Sequence, residues 1–213
     1  MRRHASEYGL FLQEFLRNFR TTGAVAPSGR FLAAALARYV AGADRPRRIL
    51  EVGPGTGAVT GRIVRDLGPD DLLDLVEVNE RFVRQLRNRF QNESPFREVA
   101  PRAQILHCLI QDLTPGATYD LIVSGLPLNN FAVADVQQIL GCLMGLLRPG
   151  GILSFFEYIA IRSARALMSG PAERARLRGS GQAINGLLGQ HEFRREWIWP
   201  NLPPAWVHHV RAQ

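Results

Sequence analysis

The chain has 213 residues, of which 46% are apolar and 21% charged, and a formal net charge of +7. This composition suits one folded domain with a substantial core and excludes intrinsic disorder; with no apolar run near the ~18 residues that a spanning helix needs, a transmembrane segment is excluded too. All 26 basic residues are arginine and they are segregated: residues 1–50 hold 9 Arg against 3 acids, residues 51–160 hold 9 against 13, and residues 161–213 hold 8 against 3. A GC-rich genome accounts for the missing lysine but not for the segregation. Basic flanks around an acidic middle point to an anionic partner, either phospholipid headgroups or nucleic acid.

In residues 7–20, Tyr8, Phe11, Leu12, Phe15, Leu16 and Phe19 recur at helical spacing and form one apolar stripe, with Arg17 and Arg20 on the opposite side. Such a helix either docks on its own domain or lies in a bilayer interface with its arginines toward headgroups. Met1 and its neighbours show no signal-peptide core. A break over residues 22–30 follows, with Ser28 as a helix cap and Arg30 beyond it, and then a second helix carrying Phe31, Leu32, Leu36 and Tyr39. Residues 1–45 are therefore expected to form amino-terminal helices that cap the domain of residues 46–213.

The stretch that organises the chain is Ile49-Leu50-Glu51-Val52-Gly53-Pro54-Gly55-Thr56-Gly57. An apolar run reads as a buried parallel strand, three alternate glycines form a tight turn, and Val59, Ile63 and Val64 open a helix. Glycine is required where the backbone must reverse and approach a ligand at the exposed amino end of a helix. Two cofactor classes use such a turn, the dinucleotides and S-adenosylmethionine. Glu51 favours the second, because it suits the cationic amino group of a methionine moiety and would repel a pyrophosphate.

A helix over residues 58–67 leads to a second strand, residues 72–78, with Glu77 at its carboxyl end, placed to accept both ribose hydroxyls. A helix over residues 82–90 and a third strand over residues 103–109 end at Gln111 and Asp112, an amide and an acid that can take the exocyclic amine of adenine. A fourth strand, residues 119–123, runs into Ser124-Gly125-Leu126-Pro127-Leu128-Asn129-Asn130-Phe131. In an open parallel sheet this loop faces the ligand. Then come a covering helix over residues 136–147, a turn at Arg148-Pro149-Gly150-Gly151, a fifth strand over residues 152–158 ending at Tyr158, and an Arg- and Gly-rich segment of undetermined structure over residues 162–190. The tail, residues 193–199 and 206–210, reads as a closing hairpin with Pro203 and Pro204 in its loop. Cys108 and Cys142 lie in apolar stretches without metal spacing and read as buried thiols in a reducing cytoplasm; no metal site is expected.

These motifs, in this order along nearly the whole chain, resemble the class I S-adenosylmethionine-dependent methyltransferases. The resemblance implies an α/β, Rossmann-like fold with a mostly parallel seven-stranded sheet and helices on both faces. Residues 23–30, the Ser124 loop and Asn201-Leu202-Pro203-Pro204-Ala205-Trp206 further resemble bacterial phospholipid N-methyltransferases. That likeness implies methylation of phosphatidylethanolamine toward phosphatidylcholine by a peripheral protein, expected to be a monomer, at the inner face of the cell membrane. Glu51, Gly53, Gly55, Gly57, Glu77, Gln111, Asp112 and Ser124 would hold the cofactor, released as S-adenosylhomocysteine. Tyr158, Ser124 and Phe131 would orient the amine, and Phe15, Phe19, Arg17, Arg20 and Arg30 would meet the lipid. The ribosomal RNA adenine dimethyltransferases carry Asn-Leu-Pro-Tyr or Asn-Leu-Pro-Phe where this chain has Gly125-Leu126-Pro127-Leu128, which makes nucleic acid an unlikely substrate. The competing readings are such an RNA enzyme or a small-amine methyltransferase, a non-catalytic membrane-binding protein, and, weakest for want of a second domain, a dehydrogenase.

Overall fold

Ile49, Leu50 and Val52 carry β1 (Arg48–Val52) through the centre of the protein, with almost no exposed surface. The computed structural model describes residues 29–42, 44–113, 118–128, 131–158, 171–199, 201 and 204–213, with the side chains of 171–177 left out. The amino-terminal stripe with Phe15, Arg17, Phe19 and Arg20, and the Ser28 cap, lie outside the described residues.

Ahead of β1 stands α1 (Gly29–Leu36). After it come α2 (Thr60–Asp66), β2 (Leu72–Val76), α3 (Glu80–Asn92) and α4 (Phe96–Val99). The chain continues through β3 (Ala103–Leu106), β4 (Tyr119–Ser124), α5 (Val133–Gly145) and β5 (Leu147–Tyr158). It closes with α6 (Pro171–His191), β6 (Glu192–Ile198) and β7 (Ala205–Arg211). One seven-stranded sheet has the order β3-β2-β1-β4-β5-β7-β6. Strands β1 to β5 are parallel, and β7 runs antiparallel to both β5 and β6. The chain winds outward from β1 to β3, then crosses back to β4. That reversal opens a crevice at the carboxyl ends of β1 and β4, where ligands bind in sheets of this type.

Strand alternation sends side chains to two apolar layers. On one face Leu50, Ile122, Leu153 and Phe155 pack with Val136, Ile139 and Leu143 of α5 and Ile184 of α6. On the other, Ile49, Leu73, Val123 and Val207 pack with Leu36 of α1, Ile63 of α2, Phe90 of α3 and Phe96 of α4. Within that second layer Ser154 Oγ lies 2.8 Å from His209 Nδ1, and His209 Nε2 lies 3.0 Å from Glu196 Oε1. The order matches a hydrolytic triad, but Ser154 and His209 have no exposed surface. The chain of contacts is a cross-tie between β5, β7 and β6.

Three expectations change. Arg148-Pro149-Gly150-Gly151 is not a free turn: it is a bulged part of β5, because Gly150 N–H donates to Ala212 O at 3.0 Å and Ala212 N–H to Gly151 O at 2.9 Å. The third strand is shorter than its apolar run and ends at Leu106. The described part of the Arg- and Gly-rich segment lies in one helix, α6.

Candidate active site

The glycine turn follows directly from β1. Gly53, Gly55 and Gly57 have φ of 70, 56 and 83, values that side-chain-bearing residues rarely adopt. Space adds a second reason at two of them. A Cβ on Gly53 would lie 2.7 Å from Leu126 Cδ2, and one on Gly57 would lie 2.7 Å from Arg89 Nη1. A Cβ on Gly55 would meet nothing within 4 Å, so the turn is open on that side.

Glu77 stands just beyond β2 and is buried. Its Oε2 accepts the Gly55 N–H at 3.0 Å and its Oε1 accepts the Asn79 N–H at 2.8 Å. Each carboxylate oxygen keeps a further lone pair, enough for one ribose hydroxyl apiece. Burial raises its pKa, and these N–H groups hold it back.

Glu51 has no exposed surface, and neither of its carboxylate oxygens has a hydrogen-bond partner. Burial pushes its pKa up to about 8; the Thr60 hydroxyl and N–H at the start of α2, close by but outside hydrogen-bond geometry, oppose that rise and the Glu77 carboxylate adds to it. A buried carboxylate without a partner is costly unless a cation completes it. The methionine end of S-adenosylmethionine carries such a cation, so the residues present fit this cofactor. Beside the turn lies an open cleft of about 260 Å³, lined by Val52, Glu77, Val78, Cys108, Ile110 and Leu126 among others. Gln111 and Asp112 stand at its border on a single helical turn, Ile110–Asp112. The Gln111 side-chain Oε1 is buried and unpartnered, and Asp112 is exposed.

At the end of β4, Ser124 is buried and its Oγ accepts the Leu126 N–H at 3.4 Å. Gly125 N–H donates to Val52 O at 2.8 Å, and a Cβ at 125 would lie 2.6 Å from the Gly53 carbonyl oxygen. The β4 loop and the glycine turn are thus packed backbone to backbone. Phe131 sits in the α5–α6 layer, with Ser180 Oγ donating to its carbonyl at 3.4 Å. Tyr158 belongs to the opposite layer, its ring 5.0 Å from that of Phe156. The structure therefore sets Gly53 and Glu77 in the lining of one cleft but sends Phe131 and Tyr158 to different faces of the sheet. Arg30 is exposed on α1, its guanidinium 4.8 Å from the Phe31 ring centre.

Arg89 on α3 completes the site and was not singled out by sequence reasoning. Its Nη1 donates to Thr56 O at 2.9 Å and to Gly57 O at 3.0 Å, while its guanidinium lies 4.0 Å from the Phe96 ring centre. It holds the turn from behind. No local pattern marks it, because 33 residues separate it from Thr56.

Residues 50–153 match the family model of a methyltransferase domain. The ornithine lipid N-methyltransferase of Singulisphaera acidiphila is 28% identical over 145 residues, covering 68% of this chain and 74% of that protein. The tRNA1(Val) (adenine(37)-N6)-methyltransferase of Pedobacter heparinus is 35% identical over 88 residues, 41% of this chain and 36% of that protein. Among solved structures, the 1,6-didemethyltoxoflavin-N1-methyltransferase of Burkholderia thailandensis, with bound S-adenosylhomocysteine, superposes with a TM-score of 0.65 at 17% identity over 98% of this chain and 90% of that one. Sheet order, glycine turn, buried Glu51 and domain match agree: residues 50–153 are a methyltransferase domain on the class I, Rossmann-like fold, and its crevice fits S-adenosylmethionine.

Proposed function

We propose that the chain transfers methyl groups from S-adenosylmethionine to the amine of phosphatidylethanolamine, or its methylated derivatives, at a membrane surface, toward phosphatidylcholine. The observation that carries this is the closure of position 125. With the Gly53 carbonyl 2.6 Å from any Cβ there, the β4 loop has no room for the amide that would grip an adenine amine, and Leu128 supplies no aromatic face for a base. What lines the cleft from this loop instead is apolar, Leu126. The likeness to an enzyme named for an amine-bearing lipid supports the same reading.

When bound, the cofactor supplies an electrophilic methyl group on a sulfonium. The residues of the chain would position it: Glu51 would face its cationic end, Glu77 its ribose hydroxyls, and Gln111 with Asp112 the adenine edge. The lipid nitrogen must arrive neutral and in line, shielded from water, so positioning does most of the work. Tyr158 keeps its proton at neutral pH, burial pushing its pKa up to about 12, and packs beside Phe156 in the apolar layer.

The test is incubation of the chain with methyl-labelled cofactor and, in separate arms, phosphatidylethanolamine vesicles, ornithine lipid vesicles and RNA. Label in phosphatidylethanolamine is the expected result. Label in ornithine lipid alone moves the assignment to that headgroup, and label in RNA alone overturns it.

A further inference from the structure

All three tryptophans of the chain, Trp197, Trp199 and Trp206, meet at one place. The β6/β7 register sets Trp197 directly opposite Trp206, with ring centres 5.3 Å apart, and Trp199 packs edge-on against Trp197 at 5.1 Å. The cluster is not part of the core, since Trp197 is 55% and Trp199 67% exposed. The register continues across the sheet and pairs Trp206 with Glu157, the neighbour of Tyr158. The indoles therefore stand at the carboxyl edge of the sheet, the same edge that bears the glycine turn and the Ser124 loop.

Single exposed apolar residues are ordinary, but a contiguous exposed patch marks a surface that meets something. Its chemistry selects the occupant. An indole has a broad apolar body and one N–H donor, which is why tryptophan concentrates at the boundary between lipid headgroups and acyl chains. Arg195 lies with its guanidinium 5.7 Å from the Trp206 ring centre, and Arg194 is its neighbour on β6. Both are about half exposed, although each also reaches a glutamate, Glu192 and Glu196 respectively. Aromatic and cationic groups together match a surface of anionic phospholipid.

We propose that Trp197 and Trp199 insert into the headgroup region of an anionic phospholipid bilayer and lay the carboxyl edge of the sheet against it. This rests on the aminophospholipid reading above for the nature of the surface, and it gives that substrate a short path from the bilayer to the crevice.

Because no tryptophan lies elsewhere, intrinsic fluorescence reports on this patch alone. The full chain, without cofactor, is titrated with vesicles of phosphatidylethanolamine and phosphatidylglycerol. The expected result is a blue-shifted emission, quenched by lipids brominated on the acyl chain. The variant Trp197→Ser/Trp199→Ser should bind the vesicles about tenfold more weakly or worse, from the loss of two indoles at the interface. It should keep wild-type affinity for S-adenosylhomocysteine and methylate micelle-dispersed lipid at the wild-type rate. An unshifted spectrum while lipid is methylated overturns the docking surface and leaves the substrate reading intact. Shifted emission with no methyl transfer to any lipid does the reverse. A blue shift that grows with protein concentration in the absence of lipid assigns the patch to a second copy of the chain and overturns the proposal.

Discussion

The Gly55 N–H donates to Glu77 Oε2 at 3.0 Å, so the acid that would accept the ribose also holds the turn that approaches the cofactor. One side chain performs both tasks because its second oxygen is occupied by Asn79 N–H at 2.8 Å, which fixes the carboxylate in place.

Replacing Glu77 with Gln should therefore cost more than a charge. The amide nitrogen would face the N–H of either Gly55 or Asn79, leaving one buried donor unpaired at a cost of about 1–3 kcal/mol. Calorimetry should show S-adenosylhomocysteine binding weakened at least about tenfold, and thermal melting a lower midpoint.

Glu51 makes cofactor affinity depend on pH. Its pKa rises from 4.5 unfolded to about 8 folded. Its contribution to stability is thus fully present below about pH 4.5 and is lost as the pH rises through 8. Glu51→Gln should be more stable than the unliganded wild type at pH 9, with the gap closing toward pH 5. The cationic cofactor binds the ionised form, so wild-type affinity should rise up to about tenfold per pH unit until pH 8, with proton release on binding. Titrations in buffers of different ionisation enthalpy measure that proton, and Glu51→Gln should release none.

Arg89→Ala removes two donors from the turn and the cation over Phe96. A loss of about 1–3 kcal/mol in stability and about tenfold in cofactor affinity is expected. Arg89→Lys should recover only part of either, since an ammonium lacks the Nε–H that reaches Glu93 and the planar group over Phe96.

Gly125→Ala should lower stability by about 2–4 kcal/mol, because the added Cβ would meet the Gly53 carbonyl oxygen, which no side-chain rotation can relieve. Gly186→Ala is the control. Its Cβ would meet nothing within 4 Å on α6, and helix propensity predicts a gain of about 0.5–1 kcal/mol. Chemical denaturation of both variants checks the contrast.

The central strand, the glycine turn, Glu77 and the closing hairpin were legible in the amino-acid sequence because each rests on a local cause: an apolar run, a positive φ or a proline between two strands. That Glu51 is fully enclosed came from the tertiary structure, which packs both faces of β1. Tertiary structure alone decided what depends on distant partners. The bulge at Gly150 and Gly151 exists because Ala212 returns beside it, Arg89 reaches the turn only through the packing of α3, and the closeness of Gly125 to Gly53 follows from β4 pairing with β1. Alternation along β5 placed Tyr158 in one layer, and the segment leading into α5 carried Phe131 into the other. Spacing along a chain encodes conformation within one element, whereas contact between elements is set by how their faces bury one another.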